Sequence, residues 1–358
     1  MKTRLPVRTA ILNRKTYEAP SEGRAEKIRL DFNENTSGCS RAVLRAVAKL
    51  TPQQYAMYPE YQKTTTRIAR HFGVRPDELS LTNGGDEAIR VFFDTFVDAT
   101  SVDAKSHILI CEPTFPMYRY YAEIAGTRIA TCRYDAKQKF PLKDVLQALR
   151  KKPRVFFLAN PNNPTGTLVG PTALRTILRA AASTAVVLDE AYAEFSGFSV
   201  IPWIRRYPNL FVTRTFSKAA GLAALRLGAV IAKKEPLAYV RRAMSPYPVN
   251  LAALVAAQAA LDNRKAIRAY VKQNRRTRGS FAAELQKLGV MTFPSAANFL
   301  LADFGSTGPA LFQKLERNGI LLRPRSKDSG PGFVRITIGT PREMKLLLGE
   351  NRKHRSTR

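Results

Sequence analysis

The stretch NLFVTRTFSKAAGLAALRLGAVIAK, residues 209–233, places two apolar runs on either side of a single interior lysine. Short apolar runs rich in Val, Ile, Leu and Phe read as strands buried on both faces. Between them, Lys218 follows two hydroxyls, Thr215 and Ser217, and precedes small apolar residues and then Arg226. A lysine on a solvated face usually keeps polar company, whereas these neighbours suit a close-packed, partly dry pocket. A lysine held in such a pocket near other positive charge has a lowered pKa and becomes a usable amine nucleophile. The competing reading is an ordinary surface lysine.

The same texture repeats on both sides. ELSLTNGGDEAIRVFFDTF (78–96) reads as a strand, a Gly-Gly turn and a helix with Ile89, Phe92, Phe93 and Phe96 on one face. HILICEPTF (107–115), RVFFLANPNNPTG (154–166) and TAVVLDEAYAEF (184–195) are further strand-and-turn units. Helical segments are expected at 41–50 with Ser40 as N-cap, at 116–126 and at 171–182. Strands alternating with helices predict an α/β domain with a mainly parallel sheet. From about residue 265 the pattern changes to a long basic helix. Short strands follow at 290–293, 298–303 and 333–338, around a helix near 308–318, predicting a smaller α+β lobe. The expected division is an N-terminal segment, 1–40, associated with the small lobe, a large domain, 41–264, and a small C-terminal domain, 265–358.

Composition narrows the chemistry. The 358 residues are 45% hydrophobic and 24% charged, which suits a folded globular chain. No apolar run approaches a bilayer span, and no signal peptide is read in MKTRLPVRTAILNRKTYEAP (1–20), so a cytoplasmic setting is expected. The three cysteines have no paired spacing, and three histidines leave little for a zinc site or a Ser-His-Asp enzyme; no metal is expected. The 58 basic against 28 acidic residues give a net charge of +30, which attracts anions. The basic residues are spread along the chain without a nucleic-acid-binding signature, so small anionic molecules are the expected partners and nucleic acid is not.

In parallel α/β sheets ligands bind at the carboxyl ends of the strands. Gly84, Gly85, Asn163, Asp189 and Lys218 each follow an apolar run. A Gly-Gly turn opening a helix offers backbone N–H groups to a phosphate, although it is equally a plain tight turn. Thr215, Ser217 and Arg226 add hydroxyls and a guanidinium. Asp189 needs a partner if buried: a salt bridge, a helix cap or a cationic ring nitrogen. Asn163 could donate to a ligand oxygen or merely make a turn. A phosphate cradle, a carboxylate for a ring nitrogen, an amide for a ring oxygen and a lysine for an aldehyde together describe pyridoxal 5'-phosphate.

FNEN (32–35), YPE (58–60), NGGDEAI (83–89), PTFPMY (113–118), NPNNPTG (160–166), VVLDEAY (186–192), RTFSKAAGLAALRLG (214–228) and VRITIG (334–339) stand in the order found in one family. From about residue 30 to 347 the chain resembles the fold-type I pyridoxal-phosphate-dependent aminotransferases, most of all those acting on histidinol phosphate. The resemblance implies a seven-stranded, mainly parallel sheet with a smaller domain, and a homodimer with shared active sites. It implies Lys218 as the lysine that bonds the cofactor aldehyde and then carries a proton. Asp189 would face the ring nitrogen, Tyr192 and Asn163 the ring oxygen, and Phe115 the ring face. Gly85, Asp86, Thr215, Ser217 and Arg226 would hold the phosphate, with Tyr58 reaching it from the second subunit. Arg335 would clamp the carboxylate of glutamate or 2-oxoglutarate, Arg323 would meet the substrate phosphate, and Asn35 would line the substrate site. The expected reaction is ping-pong transamination in histidine biosynthesis.

One segment departs from the pattern. The family's NENPYGPS stands here as NENTSGCS (33–40), with Thr36, Ser37 and Cys39 replacing Pro, Tyr and Pro. That keeps open an aromatic amino-acid aminotransferase or a decarboxylase of a phosphorylated amino acid. A DNA-binding regulator built on an aminotransferase-like domain is the reading from another class. The first motif begins near residue 31, which is expected to leave no room for a helix-turn-helix module. A catalytically dead relative is not expected, because Lys218, Asp189, Asn163 and Arg335 are all present.

Overall fold

Strand Val155–Ala159 is buried along its whole length, and its period of two divides it between two cores. Phe156 and Leu158 point into a cluster with Leu109, Val186, Leu188, Val212 and Ile231. Val155, Phe157 and Ala159 point into another with Ile108, Ile110, Val187, Phe211 and Val230. A strand covered on both faces reads as a continuous apolar run, and such strands suit parallel sheets with helices on either side. The computed structural model describes residues 5–12, 14–16, 22–97 and 106–356, the last four by backbone alone. Parts of the basic N-terminal stretch and the last two residues of the C-terminal tail lie outside the described residues.

The resulting sheet has seven strands in the order Leu79–Asn83, Leu227–Ala232, Leu210–Thr215, Ala185–Asp189, Val155–Ala159, His107–Glu112, Arg128–Arg133. Only Leu227–Ala232 runs antiparallel to its neighbours. Its register decides where the site forms. Thr215 pairs with Gly228 on one side of it and Asn83 pairs with Leu227 on the other. The loop from Thr215 to Arg226, carrying Lys218, therefore turns back at the same sheet edge where Asn83 hands over to the helix Gly84–Phe96. Gly228 is needed for this approach: a Cβ there would lie 2.5 Å from Gly84 O.

The helices expected at 41–50, 116–126 and 171–182 are found at Arg41–Val47, Pro116–Ala125 and Pro171–Ala180. Ser40 stands at the N-cap position of the first, but its side chain makes no capping bond and its buried hydroxyl has no partner, which corrects the expected capping role.

C-terminal to the long helix Arg264–Lys287, a four-stranded antiparallel sheet is built from Arg323–Pro324, Phe333–Thr337, Phe299–Asp303 and Met291–Thr292. Helices Gly308–Arg317 and Pro341–Ser356 accompany it. Its apolar core includes Leu30 from the N-terminal segment, and Ile28–Arg29 pairs in parallel with Ile320–Leu321. Residues 28–30 are thus fixed to this lobe, and the chain then runs from it to the edge of the large sheet. Among the described residues no helix is long and apolar enough to cross a membrane.

Candidate active site

Lys218 lies three residues beyond its strand, partly buried, with Nζ donating to Phe32 O at 2.9 Å. Burial, together with the Arg335 guanidinium, pushes its pKa down from 10.5 to about 8. Asp189 ends its own strand, accepting from Tyr118 Oη at 2.7 Å and from the Ala191 N–H at 3.1 Å. Desolvation raises its pKa, so the carboxylate favours a cationic partner. Phe115, the residue before helix Pro116–Ala125, packs edge-on against Tyr118 with ring centroids 5.8 Å apart.

The other end of the site is cationic. Arg226 sits in the left-handed region at φ 54°, and its Nη2 donates to Asp86 Oδ2 at 2.8 Å. Gly84, at φ 74°, opens the helix beneath it, and a Cβ there would lie 2.6 Å from that Nη2. Only glycine allows both the backbone conformation and the guanidinium. A Cβ on Gly85 would meet nothing within 4 Å. Thr215 Oγ1 and Ser217 Oγ are 2.9 Å apart, and the Ser217 N–H donates to Thr215 Oγ1 at 3.1 Å, so both hydroxyls face one place.

Arg335, on one of the two inner strands of the small sheet, donates from Nη1 to Asn163 Oδ1 at 2.6 Å and from Nη2 to Asp31 O. Its buried Nε has no partner, and burial pushes the guanidinium down to about 10. Because Asn163 Oδ1 is taken by Arg335, the Asn163 amide hydrogens remain for a ligand. Tyr192 Oη accepts from Asn33 Nδ2 at 2.9 Å, and its ring meets Phe299 edge-on at 5.1 Å. Arg323 lies over the Phe32 ring at 5.7 Å.

These groups fit pyridoxal phosphate. The glycine-floored cradle with Arg226 and two hydroxyls suits a phosphate, and a desolvated carboxylate suits a pyridinium N–H. The Asn163 amide suits the ring oxygen, and an amine of lowered pKa suits the aldehyde. Two expected residues bond elsewhere, although Asn35 Nδ2 lies beside Gly221 of the Lys218 loop, 3.1 Å from where a Cβ would stand. Tyr58 is 77% exposed and stacks on Tyr247 with ring centroids 4.4 Å apart. Asn35 uses Oδ1 to accept from the Ser37 N–H at 3.1 Å, closing its own turn. The altered segment is tied down elsewhere, with Thr36 Oγ1 donating to Glu343 Oε2 at 2.6 Å. Asn33 and Tyr118, which contact Tyr192 and Asp189, lie inside the motifs FNEN and PTFPMY, but no spacing within those motifs distinguishes them.

The model of the family "Aminotransferase class I and II" matches residues 25–350. The histidinol-phosphate aminotransferase of Geobacillus sp. (strain WCH70) is 36% identical over 333 residues, covering 91% of this chain and 89% of that protein. The enzyme of the same name from Roseiflexus castenholzii is 37% identical over 332 residues, covering 90% and 88%. Among solved structures, the Sinorhizobium meliloti histidinol-phosphate aminotransferase in complex with pyridoxal-5'-phosphate shares the fold, with a TM-score of 0.82 at 24% identity over 92% of each chain. The L-threonine-O-3-phosphate decarboxylase of Porphyromonas gingivalis shares it too, with a TM-score of 0.78 at 23% identity over 91% of this chain and 98% of that one. With a family match over most of its length and the site groups gathered at the strand ends, the chain belongs to the class I and II aminotransferases, enzymes of pyridoxal phosphate.

Proposed function

We propose that this protein exchanges an amino group between histidinol phosphate and 2-oxoglutarate, glutamate donating in the biosynthetic direction. The observation that carries the reaction class is Lys218, three residues beyond a strand of the large sheet, with Nζ 2.9 Å from Phe32 O and its pKa lowered to about 8 by burial and by Arg335. The choice of amine is supported by relatives of that name that are 36% and 37% identical over about nine-tenths of the chain. Pyridoxal phosphate, when bound, supplies the aldehyde that takes up the amino group and the ring that withdraws electrons.

The protein's part is binding, orientation and proton transfer. Arg226, Thr215, Ser217 and the Gly85 N–H hold the phosphate. Asp86 bears the same sign of charge as a phosphate, so its carboxylate serves instead to aim Arg226, leaving its backbone N–H for the ligand. Asp189, braced by Tyr118, stays ionised opposite the ring N–H. Tyr192 and Asn163 donate to the ring oxygen, and Phe115 covers the ring face. Lys218 Nζ, whose lowered pKa favours the free amine, would be the base that takes the proton from the substrate carbon and the acid that gives it back. Arg335 forks the substrate carboxylate, Arg323 meets the phosphate of the amine, and Asn35 lines the approach. Residues 28–33 and the lobe 265–358 work as one unit over the large domain 41–264, whereas Arg8 and Arg14 bond to Ile124 O and Glu123 on the large domain's own helix, so the N-terminal segment 1–40 is divided between the two.

A second copy of the chain completes the site. Tyr55, Met57, Tyr58 and Tyr247 are exposed large apolar side chains, with Tyr58 stacked on Tyr247, an apolar surface of the kind that a partner covers. Pairing through this face lets Tyr58 reach the partner's phosphate cradle.

Lys218 gives a pH prediction. The attacking species is the free amine, and below its pKa that form decreases tenfold per unit. The rate at which cofactor-free protein captures pyridoxal phosphate should therefore rise with pH up to about 8 and then level. A stopped-flow rate still climbing at pH ~10 would mean an ordinary lysine.

The substrate is tested with purified holoenzyme and 2-oxoglutarate, offering histidinol phosphate and phenylalanine in parallel. Glutamate formed with histidinol phosphate alone supports the proposal and shows that Thr36, Ser37 and Cys39 are tolerated. Turnover mainly with phenylalanine moves the enzyme to the aromatic group. Carbon dioxide released from O-phosphothreonine without an oxo acid makes it a decarboxylase.

A further inference from the structure

We infer that Asn33 is a positioning residue that commits the hydroxyl hydrogen of Tyr192 to the cofactor side of the site. The inference rests on the reading of Tyr192 as a donor to the ring oxygen, and it concerns what fixes that donor's direction. A tyrosine hydroxyl has one hydrogen to donate and lone pairs that accept, so its polarity depends on its neighbours.

Thr337 sets the polarity here. Its Oγ1 accepts from the Asn33 N–H at 2.9 Å and spends its single hydrogen on Asn33 Oδ1 at 3.3 Å. Turning the amide round would leave the buried Thr337 hydroxyl hydrogen without an acceptor among the described residues, so Oδ1 faces Thr337 and Nδ2 faces Tyr192 Oη, 2.9 Å away. Asn33 thus donates and Tyr192 accepts. Among the described residues this is the single hydrogen bond to Tyr192 Oη, so its own hydrogen is left to point elsewhere.

The arrangement is held on every side. Asn33 is 1% exposed and Thr337 0% exposed, so water does not compete. Asn298 Nδ2 donates to Asn33 O at 3.0 Å. Asn33 adopts φ 55°, a conformation that Asn and Asp tolerate better than other side chains. The preceding residues, Asp31 and Phe32, give their carbonyls to Arg335 and Lys218. One short segment anchored in the small lobe therefore touches Arg335, Lys218 and Tyr192.

The test uses Asn33→Asp, Asn33→Gly and Tyr192→Phe. Asp keeps the backbone preference and the bond from Thr337 but replaces the donor with an acceptor that draws the Tyr192 hydrogen to itself. Gly removes the side chain where φ is positive at no backbone cost. Two quantities are measured: the dissociation constant of pyridoxal phosphate by equilibrium dialysis, and the pH midpoint of the bound cofactor's absorption change. A donor at the ring oxygen favours its ionised form, so losing that donor raises the midpoint.

Asn33→Asp should raise the midpoint by about one unit and weaken binding about tenfold. Asn33→Gly should move both less, in the same direction, and should add nothing in a Tyr192→Phe background. A normal midpoint in Asn33→Asp beside a raised one in Tyr192→Phe overturns the inference, even if Asn33→Asp melts at a lower temperature. If Tyr192→Phe itself leaves midpoint and affinity unchanged, the reading of Tyr192 has failed first.

Discussion

Lys218→Ala is expected to lower turnover by at least about 10⁴-fold while leaving a folded protein of undiminished stability. The loss follows because no other amine replaces Nζ, either as the group that bonds the aldehyde or as the proton carrier. The stability expectation comes from the surroundings. Nζ makes one hydrogen bond, to Phe32 O, and its charge is disfavoured by burial and by Arg335. The loop keeps its own anchors: Phe216 N–H to Leu227 O and Leu222 N–H to Phe216 O, both at 3.0 Å. Removing a disfavoured charge therefore costs little. A small exogenous amine should restore part of the rate. Steady-state turnover and a melting curve check both halves, and turnover within about tenfold of the parent would refute the role.

Asp189→Asn is expected to reduce both half-reactions by about 10³-fold with only a small change in melting temperature. Tyr118 and the Ala191 N–H bond different carboxylate oxygens, so the asparagine oxygen keeps the Ala191 N–H while its amide donates to the Tyr118 hydroxyl, which turns to accept; the shape is retained and the charge is removed. Asp189→Ala should lose as much rate, and stability as well. It leaves the fully buried Tyr118 hydroxyl without its acceptor, a cost of about 1–3 kcal/mol. Single-turnover kinetics with each substrate separate the cases. If Asp189→Asn turns over normally while Asp189→Ala only destabilises, the carboxylate is structural.

What was legible in the sequence follows burial. The strands Val155–Ala159, Ala185–Asp189, Leu210–Thr215 and Leu227–Ala232 announce themselves because both faces are covered and each carries a run of at least three apolar residues. The edge strand Arg128–Arg133 does not, since only Cys132 within it is fully buried and its polar residues resemble a loop. Helix Leu251–Asp262 is apolar on almost every side, so no period of 3.6 marks it. Lys218, Asp189, Asn163 and Arg226 could be picked out because each ends or follows a legible run. Asn33 and Tyr118 could not: Asn33 meets partners 159 and 304 residues away, and Tyr118 reads as one more core aromatic on its helix. Long-range contacts of this kind leave no local pattern. The register that brings Asn83, Thr215 and Leu227 to one edge, and with them the phosphate cradle, depends on one antiparallel strand that an apolar run alone does not orient.

The central claim is that Lys218 bonds the cofactor, and it is tested most directly by borohydride reduction of the holoenzyme followed by tryptic peptide mapping. Reduction fixes the lysine–cofactor bond, and trypsin does not cleave after a modified lysine. The account predicts a single cofactor adduct on the uncleaved peptide TFSKAAGLAALR, residues 215–226. An adduct on any other lysine, with cleavage after Lys218 intact, would contradict it.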